Sequence, residues 1–167
     1  MDELFEELVG VNHVTAFKFF SQGLQSIAHI RGLRSEETAY VASILAHYAQ
    51  TSCFDQSSMP CMTGLSGVFD QFVLQGFGMS DAEILEIAGS QVLLFAGFFR
   101  DQMKHRHNVR WYDQLGQSFY EKASRYSRER KKSELLEHIA ESFPTWTITC
   151  RNLSKKLRED RFVIKLD

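Results

Sequence analysis

Residues 84–99, in the middle of the chain, are apolar on nearly every side of a helix. Their apolar side chains include Ile84, Leu85, Ile87, Val92, Leu93, Leu94, Phe95, Phe98 and Phe99. Residues 80–83 (SDAE) precede this run and form a capping box, in which the serine oxygen and the glutamate each bind a free amide at a helix start. A helix without a polar face lies in the centre of a bundle or under a second subunit. The sequence therefore predicts a central helix near 81–105.

The rest of the chain repeats its apolar residues at spacings of three and four, which predicts further amphipathic helices. Asn12 and Ser35 suit helix starts, and Gly32 suits a helix end. The apolar stripes lie at 14–27, 40–48, 65–73, 112–126 and 135–143, the last of these in a helix that Ser133 would begin. After Pro144, Trp146, Cys150, Leu153 and Leu157 favour a helix over a strand, and 161–167 are predicted to form an extended tail.

Length and composition limit the number of domains. The chain has 167 residues, of which 44% are hydrophobic, enough to bury one substantial core. No repeat, linker or low-complexity tract divides it. We therefore expect residues 1–167 to form one all-α domain, a bundle of about seven or eight helices built on the principles of layered packing.

Targeting and redox features favour a cytoplasmic protein. The longest apolar run, residues 92–99, is far shorter than the stretch of about 20 that crosses a membrane, so we expect no membrane association. The first ten residues (MDELFEELVG) are acidic where targeting peptides are basic. The chain has an odd number of cysteines, at 53, 61 and 150, without the spacing of a zinc site. This pattern predicts free thiols in a reducing compartment.

Three segments of the chain carry the pattern of a known family: 89–99 (GSQVLLFAGFF), 111–120 (WYDQLGQSFY) and 36–49. They resemble a family of uncharacterised bacterial all-helical proteins. In that family a G-x-x-x-L-F-x-x-G-x-F helix precedes a Y-Y-x-x-x-G-x-x-A-Y helix, and a helix of the type E-x-x-x-Y-x-x-x-L-L lies upstream. Trp111 replaces a tyrosine, and Arg100 replaces the proline that usually follows the phenylalanine. The resemblance implies a helical fold and a bacterial origin, and it implies no activity.

The sequence contains no recognisable catalytic or nucleotide-binding motif, so we predict no catalytic residues and no cofactor. Asp101 and His105 lie four residues apart, and His107 follows closely. Asp101 and His105 would share one helix face, with His107 just beyond, and this carboxylate–imidazole pair could hold a divalent metal if other helices supplied ligands. A metal-dependent or apolar-ligand-dependent helical enzyme is therefore one alternative. The other interpretation of the same residues is a polar helix end, where cations favour the helix dipole.

The charges are divided unevenly along the chain. Residues 1–121 carry a net charge of −7 and residues 122–167 a net charge of +5. Five cations, Arg125, Arg128, Arg130, Lys131 and Lys132, could bind phosphates, and 133–143 with 146–158 could form a helix-turn-helix. Interleaved glutamates and a pI of about 6.3 disfavour nucleic-acid binding.

Charge division and apolar surface together favour an interaction protein. An acidic body and a basic C-terminal third can dock within a chain or between subunits, and the apolar run 84–99 favours a dimer with two-fold symmetry. The sequence thus predicts a cytoplasmic, non-enzymatic protein-interaction or scaffold module that forms a homodimer and has a protein partner.

Overall fold

The structure is a computed structural model that describes residues 13–51, 82–102 and 109–164. It contains six α-helices: α1 (His13–Ile30), α2 (Ser35–Thr51), α3 (Ala82–Leu93), α4 (Val109–Tyr126), α5 (Arg130–Glu141) and α6 (Phe143–Ile164). A π-helical segment (Leu94–Phe98) and a 3-10 turn (Arg100–Gln102) follow α3. These ranges contain no strand, so the predicted all-α class is confirmed. The predicted helix at 63–75, the Asn12 cap and the Ser80 end of the capping box lie outside the described residues.

The chain divides into two compact units. The first, here called the α1–α2 unit, contains α1, α2 and the part of α6 from Thr149 onward. The second, the α3–α5 unit, contains α3, the π-helical segment, α4, α5 and the part of α6 up to Ile148. The expectation of a single domain over residues 1–167 stays a prediction.

The connection between α1 and α2 has the capping that the sequence predicts. Gly32 has a φ of 70°, and its amide donates to the His29 carbonyl at 3.1 Å. The Leu33 amide donates to the Ala28 carbonyl at 3.0 Å, which completes a Schellman motif. At the start of α2 the Arg34 amide donates to Oε2 of Glu37 at 3.1 Å. Gly32 therefore ends α1 and Ser35 begins α2, as predicted.

The core of the α1–α2 unit is built largely from small side chains. On α1 and α2 the buried hydrophobic residues are Ala16, Phe20, Leu24, Ala28, Val41, Ala42, Leu45, Ala46 and Ala49. The prediction that Val14 faces the core is wrong, since 61% of it is exposed. Alanines occupy the inward face because short side chains allow the helices to approach closely. A prediction that uses only the spacing of large apolar residues therefore assigns the wrong side of the helix to the core.

The central apolar helix is shorter than predicted. The α-helix ends at Leu93 instead of continuing to about 105, and the Phe99 amide donates to the Leu94 carbonyl, five residues back, at 2.9 Å. Residues 92–99 are all buried, as expected for a run without a polar face. Because neighbouring side chains enclose this run and it includes Gly97, packing outweighs helix propensity in setting its backbone path. Ile87, by contrast, is 55% exposed.

Glycines allow the helices of the α3–α5 unit to approach closely. A Cβ on Gly89 would lie 2.9 Å from the Tyr120 ring, and a Cβ on Gly116 would overlap the Phe143 ring. Beside Gly89, the Ser90 and Tyr120 hydroxyls are 3.0 Å apart and form a hydrogen bond. Glycine at 89 and 116 therefore permits the close packing of α3, α4 and α6 in this unit.

The C-terminal helices differ from the prediction at their ends. Helix α5 begins at Arg130, three residues before Ser133, and the Ser133 amide already donates to the Glu129 carbonyl at 2.9 Å. Pro144 lies in the first turn of α6, where its missing amide breaks no helical bond. Residues 145–150 are helical, as favoured. The extended tail is wrong for 161–164, which continue α6 because no proline or glycine interrupts it; residues 165–167 lie outside the described residues.

Candidate functional site

A cleft of about 680 Å³ lies in the α3–α5 unit, where the ends of three helices meet. The start of α3, the end of α4 and the first two turns of α5 form its walls. Its lining residues are Ala82, Glu83, Glu86, Tyr126, Ser127, Arg128, Glu129, Lys132 and Leu136. The cleft thus combines an aromatic ring, an aliphatic side chain and charges of both signs.

Two serines hold the α4–α5 turn that forms one wall of the cleft. The Ser124 hydroxyl donates to the Ser133 carbonyl at 2.9 Å, and the Ser133 hydroxyl donates to the Ser124 carbonyl at 2.8 Å. Ser124 is only 7% exposed, so little water competes for these bonds. The reciprocal pair fixes the turn at 127–129 and therefore the position of the side chains that line the cleft.

An ion pair joins two walls of the cleft. Nζ of Lys132 on α5 lies 2.8 Å from Oε1 of Glu86 on α3, and the two side chains are 38% and 19% exposed. This pair offsets the charge of one of the three carboxylates in the lining. The other two carboxylates belong to Glu83 and Glu129, which are exposed residues of the lining, as is Arg128. The cleft therefore presents separated charges rather than one continuous sign.

The structure brings the five predicted nucleic-acid-binding cations to one turn between α4 and α5. Lys132 is half-buried, and the other four are exposed: Arg125, Arg128, Arg130 and Lys131. Two line the cleft, while Nε of Arg130 lies 2.9 Å from Oε1 of Glu134 on the exposed face of α5. We name residues 125–132 the basic turn. Its ligand is not defined by this placement, and nucleic-acid binding stays a prediction.

Of the predicted metal ligands, only Asp101 lies in the described residues, in the 3-10 turn after the π-helical segment. His105 and His107 lie outside them. Within residues 13–51, 82–102 and 109–164, no group of three histidine, cysteine, aspartate or glutamate residues is arranged to hold a metal ion. The metal-dependent alternative stays a prediction.

A second polar cluster joins α4 to the start of α6. The Thr147 hydroxyl lies 3.1 Å from Oδ1 of Asp113 and also 2.8 Å from the Pro144 carbonyl. Burial raises the pKa of the Asp113 carboxyl, while the Thr147 hydrogen bond and the Arg100 guanidinium partly oppose that rise. Sequence analysis missed this cluster, although Thr147 lies four residues after Phe143 on the buried face of α6, a position where a polar residue needs a partner.

Two further residues test predictions from the sequence: the inward-facing position of Tyr126 is wrong, and the free thiol of Cys150 is confirmed. Tyr126, expected to pack inward, is 51% exposed and lines the cleft. Cys150 is a buried free thiol, and burial raises its pKa to about 12, so it suits a core position rather than a nucleophile.

Comparison of the chain with protein-family models, curated proteins and solved structures gives no match. The resemblance to bacterial helical proteins is therefore still a prediction from the residues. Among the described helices, none combines the length and the apolar character needed to cross a bilayer.

Proposed function

We propose that this chain is a protein-interaction module that binds a partner through the cleft of the α3–α5 unit. The observation that carries the proposal is the composition of that cleft, in which a half-exposed tyrosine, Tyr126, lies beside the exposed Arg128. Tyrosine and arginine are enriched in protein interfaces and among the residues that contribute most to binding. The neighbouring hydrogen-bonded turn lowers the entropy cost of binding because it is already ordered.

From the sequence we also propose that the protein is bacterial and cytoplasmic, and that it forms a homodimer. The buried run 92–99 is covered within a single chain, so a second copy would use another surface. Exposed apolar side chains for such contacts include Val14, Ile30 and Ile87. Sedimentation velocity over a range of concentrations tests the dimer, and a monomer at every concentration would refute it.

Photo-crosslinking tests the interaction site directly. A benzoylphenylalanine at position 126, and as a control at the exposed position 156, is introduced into the full chain and illuminated in a lysate of the source cells. The captured protein is then purified and bound again to the unmodified chain and to Tyr126→Ala and Arg128→Ala variants. We expect capture at 126 but not at 156, and binding weakened about tenfold or more by each substitution.

Two results would contradict the proposal. The first is equal capture at both positions, which would indicate nonspecific reaction. The second is a captured protein that binds the Tyr126→Ala variant as tightly as the unmodified chain, since the cleft would then contribute nothing to binding. Lys156→Ala provides the matched variant for this comparison, because Lys156 is exposed and lies outside the α3–α5 unit.

A further inference from the structure

We infer that the partner binds the basic turn at the edge of the cleft and is an acidic protein segment that also carries apolar side chains. The inference rests on the proposed function and adds to it the chemistry of the partner. Its basis is the distribution of charge around the basic turn and the exposed apolar groups beside it.

The basic turn is strongly positive in a place where positive charge is unfavourable for the fold. Residues 125–132 contain five cations and one carboxylate, Glu129. Three of the cations lie in the first turn of α5, which has no acidic residue and no side-chain cap at its Glu129 N-cap. The helix dipole places positive potential at that same end, so these cations repel it, and the ion pairs of Arg130 with Glu134 and of Lys132 with Glu86 offset part of that repulsion. Local rules of this kind are usually broken where function requires it, and a bound anionic segment would relieve the repulsion.

Exposed apolar groups lie within the basic turn and on α3, the helix that contributes another wall of the cleft. Tyr126 is 51% exposed within the basic turn, and Ile87 is 55% exposed. Ile87 lies one helical turn beyond Glu83, a residue of the cleft lining. A segment that alternates acidic and apolar residues would place carboxylates on Arg125 and Arg128 and apolar groups against Tyr126.

The carboxylates of the cleft favour a protein segment over a nucleic acid. A nucleic-acid backbone carries negative charge at every phosphate, and such a strand in the cleft would meet Glu83, Glu86 and Glu129 as well as the cations. A peptide can place neutral or apolar residues opposite these carboxylates and acidic residues opposite the arginines. This ability to alternate is what distinguishes the two classes of partner.

Fluorescence anisotropy with defined probes tests the inference on the full chain. The probe is a fluorescein-labelled synthetic peptide in which glutamate alternates with leucine and phenylalanine. A second peptide has glutamine in place of every glutamate, and a third probe is a single-stranded RNA. The protein variants are Arg125→Gln with Arg128→Gln, and the matched control Lys155→Gln with Lys156→Gln. Both pairs remove the same charge from exposed positions, so neither is expected to unfold the chain.

We expect the glutamate peptide to bind at least about tenfold more tightly than the glutamine peptide. The arginine pair should weaken that binding about tenfold, while the lysine pair leaves it within about twofold. Equal affinity for the two peptides would overturn the inference, as would equal losses in the two variant pairs. RNA that binds more tightly than the peptide and depends on the arginine pair would replace it with nucleic-acid recognition.

The two proposals fail in different ways. If a protein captured at position 126 binds the Arg125→Gln, Arg128→Gln variant as tightly as the unmodified chain but binds the Tyr126→Ala variant more weakly, the acidic partner is wrong and the interaction module stands. If position 126 captures no protein and the glutamate peptide does not bind, both are wrong.

Discussion

Replacing Gly116 with alanine should destabilise the protein, although alanine is the better helix former. Gly116 lies within α4, and a Cβ there would overlap the ring of Phe143, the first residue of α6. Phe143 is fully buried, and its ring centroid lies 5.9 Å from that of Tyr120. The ring is therefore enclosed, and relieving the overlap requires it or the helices to displace their neighbours.

The expected magnitude is the difference between two opposing effects. Alanine in place of glycine within a helix stabilises it by about 1 kcal/mol. Extra volume in a well-packed core costs about 1–3 kcal/mol, and the overlap with a rigid ring places this site at the upper end. The net loss is then about 2 kcal/mol, which lowers the Tm of a chain of this size by about 4–8 °C.

Gly23→Ala is the matched control, because its Cβ would also meet a buried side chain. The nearest atom is Cδ1 of Leu153 at 2.7 Å, the flexible end of an aliphatic side chain that can rotate away. We expect this variant to stay within about 1 kcal/mol of the unmodified chain. Urea denaturation followed by circular dichroism measures both variants, and Phe143→Leu added to Gly116→Ala should recover part of the lost stability.

The reasoning fails if Gly116→Ala is as stable as the unmodified chain, or if Gly23→Ala loses as much. It also fails if Phe143→Leu has the same effect with and without the alanine, since the two sites would then be energetically independent.

Three further predictions concern single polar groups. Ser124→Ala should lower the free energy of unfolding, measured by urea denaturation, by about 1 kcal/mol because it removes a buried donor to the Ser133 carbonyl. An unchanged free energy would show that this hydrogen bond contributes nothing to stability. Burial raises the pKa of the folded Asp113 carboxyl above 3.8, so the unmodified chain should lose stability relative to Asp113→Asn as pH rises from 3.8 through the raised value. Denaturation of both proteins from about pH 3 to pH 7 measures this difference, and the opposite slope would contradict it. With the other two cysteines changed to serine, Cys150 should react with iodoacetamide at about pH 8 only when the chain unfolds, because burial raises the pKa of its thiol to about 12. Rapid labelling of the folded chain would show that Cys150 is not buried.

The sequence predicted the helices better than it predicted their inward faces. Gly32 and Ser35 identify the end of α1 and the start of α2 because capping depends on a few local residues. Val14 was misplaced because the core beside it is made of alanines, whose burial reflects the approach of other helices rather than a local pattern. The end of the α-helix at Leu93 depends on the packing of a wholly buried run, which periodicity does not record.

The candidate site could be predicted only in part. The five cations of the basic turn were evident because they are adjacent in sequence. The cleft was not evident, since Glu83 and Glu86 come from a different helix and have an ordinary structural explanation at a helix start. The cluster of Asp113 and Thr147 joins residues 34 positions apart, and such pairing follows from tertiary packing alone.

The π-helical segment changes the helical register of the side chains that follow it. An α-helix turns about 100° per residue, so one residue more or less rotates every later side chain by that angle about the axis. At Leu94–Phe98 the hydrogen bond from Phe99 spans five residues, and the charge of Arg100 that follows acts on Asp113. Deleting Ala96 would shorten this segment by one residue and change the position of Arg100 relative to that carboxyl, although no charged residue would have been changed. The length of the buried run, and not only its composition, thus determines where the first charge after it lies.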